Sequence, residues 1–255
     1  MLVPPSLRSA LDQAVASGIF PGAVLAVRHG GASVCCMPAG RLSTDPPGSA
    51  VTSSTIYDLA SLTKPLATVT AMALLVQCGQ CRLDSRIDSV LQELEGSAVG
   101  SATLRQLLTH SSGLPGWRGF YEQLSPNAVL PSSLEARVEA GRRVVHMIAK
   151  EMLVYGMGER SLYSDLGFML LGLAIERLSG IPLDRFVREH IIQPLNAQTL
   201  CFLPTDSEGE SHKNSMIRSV APTEQDSWRG RLVCGEVHDE NAAALGGVAG
   251  HAGLF

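Results

Sequence analysis

"YDLASLTKPLATVTAM", Tyr57–Met72, sets a serine, a lysine three residues on and then a proline at the front of an apolar helix. Long cations ordinarily keep to solvated faces, yet Lys64 opens the hydrophobic run "LATVTAMALLV". The helix reads from near Ser61 to a stop at Gly79. Positions i and i+3 of a helix share a face, with β-carbons about 5–6 Å apart, so the ammonium reaches the hydroxyl. Pro65 costs little there, because a first-turn N–H has no helical partner to lose. A serine at a helix start also sits among unpaired N–H groups, which favour developing negative charge. A lysine in apolar surroundings beside a serine is one way of activating a weak nucleophile. The bland reading makes Ser61 a cap and Lys64 a snorkelling side chain. Average composition yields S-x-x-K roughly once in a chain of this size, so placement carries more than spacing.

A second element lies at Tyr163-Ser164-Asp165, again just before an apolar helix, "GFMLLGLAIERLSG". A tyrosine set against Lys64 would have its phenolate form stabilised and act as a general base. Alone, the same residues read as a half-buried tyrosine with Asp165 as helix cap.

The bulk properties narrow the classes. The chain has 255 residues, 45% hydrophobic and 17% charged, a globular composition large enough for a sizeable core. A formal net charge of -4 supplies no electrostatic reason for nucleic acid or an anionic membrane as partner. The apolar runs are shorter than the roughly 20 residues of a membrane span and read as buried helices. No secretory signal is read in "MLVPPSLRSALDQAV", so the expected compartment is the cytoplasm, or the periplasm for a trimmed chain. The six cysteines form no framework: Cys78-x-x-Cys81 closes a helix, and reduced structural thiols are expected.

Along the chain, Ser6–Ser17 has helical spacing, and two β-rich runs flank Gly30-Gly31 as a hairpin. Pro46–Ser54 reads as a loop, Leu134–Val154 as an amphipathic helix, and "PLDRFVREHIIQPL" as another helix, with Pro182 in its first turn. Beyond Asn196 the pattern loosens. The order suggests an α+β chain with a helical lobe.

"SLTK" and "YSD", with "LLTHSSGLP" between them and "GFMLLGLAIERLSGIPLDRFVREHIIQPL" after, resemble the serine β-lactamase-related hydrolases. That family includes class C β-lactamases, D-alanyl-D-alanine carboxypeptidases and related esterases, and the tail "APTEQDSWRGRLVCGEVHDENAAALGGVAGHAGLF" resembles a bacterial branch of serine hydrolases or penicillin-binding proteins. The resemblance implies a β-lactamase/transpeptidase-like fold with a helical lobe and an antiparallel-sheet lobe. Residues 1–60 would give the N-terminal helix and hairpin of the sheet lobe, 61–200 the helical lobe, and 201–255 a loop-rich return. It implies Ser61 as the nucleophile of an acyl-enzyme, Lys64 as its hydrogen-bonded partner, and Tyr163 as the proton carrier. No metal or organic cofactor is implied. The substrate would be a small ester, a D-alanyl-type amide or a β-lactam, with true β-lactamase activity as one alternative and a non-catalytic ligand-binding relative as another.

Two departures stand out. The tyrosine motif commonly ends in Asn, whereas this chain has Asp165, whose carboxylate favours the ammonium form of Lys64 but opposes a phenolate. The family also has a third motif, Lys/His-Thr/Ser-Gly on a strand. His251-Ala252-Gly253 lies too close to Tyr163 to be that element and reads as a Gly-rich turn, so the C-terminal part of the sheet lobe is expected to be absent. A second oxyanion donor would be missing with it, at about 10²–10³ in rate. An unpaired sheet edge would then invite self-association. His110 is expected to stabilise its loop, and His238, in "GEVHDENA", to line the cleft more readily than to bind a metal.

Overall fold

The computed structural model describes residues 5–44, 48–206 and 220–255. The loop read at Pro46–Ser54 and the irregular chain after Asn196 each lie partly outside those residues.

Helix α1, Pro5–Ala16, has no buried residue and lies against the hairpin. The hairpin pairs β1, Gly22–His29, with β2, Ala32–Gly40, in antiparallel register from Gly22↔Gly40 to His29↔Ala32, with an irregularity at Val27/Arg28. Its two-residue turn is Gly30-Gly31, at φ 56° and 79°. Both residues are left-handed, the conformation that matches strand twist and that glycine adopts without steric cost.

The expected nucleophile helix is present, but its opening is irregular. A 3₁₀ turn at Ala60–Leu62 passes through Thr63 into a π-helical turn at Lys64–Val69, and only Thr70–Gln77 (α2) is a regular α-helix. The wider turn is a geometry found at functional positions in helices.

The helical body follows: α3 (Leu104–Leu108), α4 (Tyr121–Leu124), α5 (Leu134–Ile148), α6 (Asp165–Ser179), and α7 (Leu183–Val187), which runs on in a π-helical turn at Arg188–Ile192. Helix α5 stops at Ile148, short of the Val154 that periodicity suggests: Lys150 N–H and Glu151 N–H turn back to Met147 O and Ile148 O, and Val154 N–H donates to Gly113 O across the fold at 2.9 Å. At the start of α6 the cap is Ser164, whose hydroxyl accepts from Gly167 N–H, and not Asp165, the cap of the bland reading. The helix ends at Gly180 in the left-handed conformation, φ 74°. Its residues are buried from Leu166 to Gly172, and it packs against the nucleophile helix, α3, α5 and α7, which makes it the axis of the core.

A short antiparallel pair, β3 (Gln225–Asp226) and β4 (Arg231–Leu232), precedes α8, Glu240–Ala244. The last ten residues are all buried. They are tied back by paired hydrogen bonds between Cys201 and Phe255 and by Leu59 N–H to Leu254 O. Among the described residues, no single helix is long and apolar enough to cross a membrane. All six cysteines are free thiols.

Candidate active site

Ser61 is exposed at the mouth of its helix, and Lys64, one turn on, is only 3% exposed. The lysine reaches back, and its Nζ lies 2.9 Å from Ser61 Oγ. It also donates to the backbone oxygen of His251 at 3.1 Å and forms an ion pair with Asp165 Oδ1 at 2.7 Å. A desolvated ammonium is tolerated only when paired and hydrogen-bonded, and both requirements are met here. Ala60, before the serine, has φ 45°, a strained value for a residue with a β-carbon. Asp58 holds that bend by accepting from Ala60 N–H at 2.7 Å and from His238 N–H at 2.6 Å. Burial pushes the Asp58 carboxyl up, against the pull of these two bonds.

Tyr163 is 52% exposed and presents its ring to the lysine, with Nζ 4.8 Å from the ring centroid. Its hydroxyl makes no hydrogen bond among the described residues. The helix switch at Ser164 fixes its place, because the Ser164 hydroxyl also donates to Pro115 O at 2.7 Å. Asp165, released from capping, turns its carboxylate to Lys64.

His110 packs on Tyr163 and Phe168, with ring centroids 4.5 and 5.0 Å away. Its Nδ1 accepts from Ser164 N–H at 3.0 Å, and its carbonyl from the Tyr155 hydroxyl and Leu162 N–H. Burial, and then the Lys64 charge, lower its pKa, which keeps the ring a neutral acceptor that holds the loop.

His251 does not lie on a strand. Its ring is 1% exposed and bonds Asp239 Oδ1 through Nε2 at 2.8 Å. What it offers the site is its carbonyl. The chain reaches Lys64 there because Gly250 lies directly on Gly172 and the Phe168 carbonyl of α6. The Gly250 carbonyl in turn accepts from Thr68 at 2.6 Å. Asp239 also caps α8 through Ala242 N–H. Burial works against its charge, but the His251 charge and hydrogen bond, with Lys64 beyond, hold its carboxyl down at about 2. His238 meets the site only through its backbone, and its ring faces Glu224 at 3.6 Å.

Asp58, Thr68, Asp239 and Gly250 went unread in the sequence: Asp58 joins His238, and Thr68 joins Gly250, about 180 residues away, and Asp239 reaches the site only through His251. Asp58 alone had a hint, an acid just before the S-x-x-K.

Among the described residues, no group of three or more His, Cys, Asp or Glu is placed to hold a metal ion. A cavity of about 470 Å³ lies between α5, α6 and Leu245–Gly250. It shares Gly250 with the site but reaches neither Ser61 nor Lys64.

The arrangement of Ser61, Lys64 and α6 sits on a β-lactamase/transpeptidase-like fold. The chain superposes on the octameric penicillin-binding protein homologue from Pyrococcus abyssi with TM-score 0.73 and 25% identity, over 98% of this chain and 52% of that one. A D-alanine carboxypeptidase from Burkholderia cenocepacia matches with TM-score 0.68 and 17% identity, over 98% of this chain and 60% of its own, a likeness of fold. The chain belongs to the beta-lactamase family, whose model matches residues 7–255. An Escherichia coli protein named "Putative D-alanyl-D-alanine carboxypeptidase" is 34% identical over 222 residues, 80% of this chain and 48% of that protein. The chain thus spans about half the length of the curated relatives it matches.

Proposed function

We propose that the chain carries the nucleophile half of a serine acyl-transfer site acting on small esters or D-alanyl-type amides through an acyl-enzyme. The carrying observation is the bond from buried Lys64 Nζ to exposed Ser61 Oγ at 2.9 Å. Ser61 attacks the carbonyl carbon, and its proton leaves to the Tyr163 phenolate. The serine's own N–H, at the helix opening, is one donor to the developing oxyanion. Lys64 polarises the hydroxyl and balances charge. The leaving group takes the proton back, and water then repeats the sequence in reverse. β-Lactams fit the same chemistry, and fast deacylation separates a β-lactamase from an enzyme that they merely block.

A second reading, a ligand-binding relative without turnover, is favoured by one observation: Asp165 engages Lys64 at 2.7 Å while the Tyr163 hydroxyl stands free of both. Intact-protein mass spectra before and after a fluorophosphonate or a penicillin-type probe separate the two. A single adduct lost in Ser61→Ala supports acyl transfer; binding of the penicillin without an adduct supports the second reading. The two-stranded hairpin, whose outer edges pair with no other strand among the described residues, is further proposed as a site of self-association. Sedimentation velocity tests this: a monomer across the concentration range sinks it.

A further inference from the structure

We propose that the buried Asp239–His251 pair is a positioning unit for Lys64, a role that rests on the reading of Ser61 and Lys64 as reacting groups. Lys64 has three partners, and two of these, the hydrogen-bonded Ser61 Oγ and the ion-paired Asp165 Oδ1, are side-chain atoms. The third, the His251 carbonyl at 3.1 Å, is backbone and can act as a fixed reference point for the ammonium. Its position is set from two sides. Gly250, the preceding residue, is seated against α6 and bonded to Thr68. The His251 ring is held by Asp239 at 2.8 Å, and its Nδ1 makes no hydrogen bond among the described residues, so Asp239 alone orients it. Asp239 is itself fixed as the cap of α8, through Ala242 N–H at 2.7 Å.

A chain of contacts thus runs from the start of α8 through Asp239, the imidazole and the His251 carbonyl to Lys64 Nζ and Ser61 Oγ. Neither Asp239 nor His251 touches the serine. They act by keeping one acceptor in place so that the ammonium points a proton at the hydroxyl. A displaced carbonyl leaves the buried ammonium one acceptor short, and the Asp165 carboxylate already paired with it then draws it off the serine.

The test measures acylation of the full chain by a penicillin-type probe over a range of concentrations, which separates the limiting rate constant from half-saturation. His251→Leu is expected to lower the limiting rate about tenfold or more, with half-saturation changed less than about twofold. His251→Gln, which keeps an N–H where Nε2 lies, is expected to recover most of the rate. Asp239→Leu with His251→Leu should be no slower than the slower single variant, as befits one unit. An unchanged rate in His251→Leu, additive losses, or no rescue by Gln overturns the proposal.

Crystal structures of the native chain and of His251→Leu supply a readout independent of reactivity. Nζ should move away from Ser61 Oγ and from the residue 251 carbonyl in the variant, and Nζ staying in place overturns the proposal. If the native protein takes no adduct, the acyl-transfer reading falls, and the positioning claim is still decided by these two structures.

Discussion

Replacing Asp165 by Asn changes one atom and removes one charge at the centre of the site. The carboxylate stands 2.7 Å from Lys64 Nζ, with side-chain exposures of 18% and 4%. At an effective dielectric near 20, opposite charges at that distance attract by about 6 kcal/mol before desolvation is counted. Removing one member of a buried pair costs about 3–5 kcal/mol, because the other charge stays behind. Two features reduce that figure here: Asp165 is partly solvated, and an Asn oxygen still accepts from the ammonium. About 2–3 kcal/mol remains, to which the lost charge in the first turn of α6 adds about 0.3–1. At about 2–4 °C per kcal/mol for a domain of this size, the melting temperature should fall by about 5–16 °C. Calorimetric melts of Asp165→Asn, Lys64→Met and the double variant close a cycle whose coupling should reach about 2 kcal/mol. Coupling below about 0.5 kcal/mol, or a melt within about 1 °C of the native chain, would refute the pairing argument.

Three further outcomes follow from the same geometry. In Gly250→Ala the new β-carbon would lie 2.1 Å from the Phe168 carbonyl oxygen, so the segment must retreat by about 1 Å. Its urea midpoint should drop and probe acylation slow by about 10²-fold; native values for both would show that the Gly250–α6 contact does not place His251. His110 is held neutral in the fold, with its pKa lowered by burial and by Lys64, so the unfolded chain binds its proton more readily. Its contribution is complete above about pH 6.5 and is lost as pH falls through the window below, toward the lowered folded value. His110→Asn, which keeps an acceptor for Ser164 N–H, should therefore lose less melting temperature than the native chain on acidification; parallel curves would sink the argument. Ser164→Ala deletes a buried hydroxyl that bonds both Pro115 O and Gly167 N–H, and should cost about 1–2 kcal/mol in chemical denaturation, where no change would show that the cap is idle.

What could be read without coordinates was local. The hairpin is written in Gly30-Gly31, the stop of α6 in Gly180, and the nearness of Ser61 and Lys64 in a spacing that any helix converts to contact. Each of these depends on residues within a few positions of one another, whose geometry is set by backbone sterics. The tertiary structure decided the rest. Val154 lies outside α5 with its N–H on a distant acceptor, Gly113 O, a partner that no local pattern names. Asp165 meets Lys64 because Ser164 takes over the capping and α6 crosses the nucleophile helix. Thr68 finds Gly250, and Lys64 finds His251, only because two glycines let the C-terminal segment settle on α6. A buried ammonium needs acceptors from every side, and one stretch of helix supplies only the serine; the remaining two had to come from chain that only folding brings near.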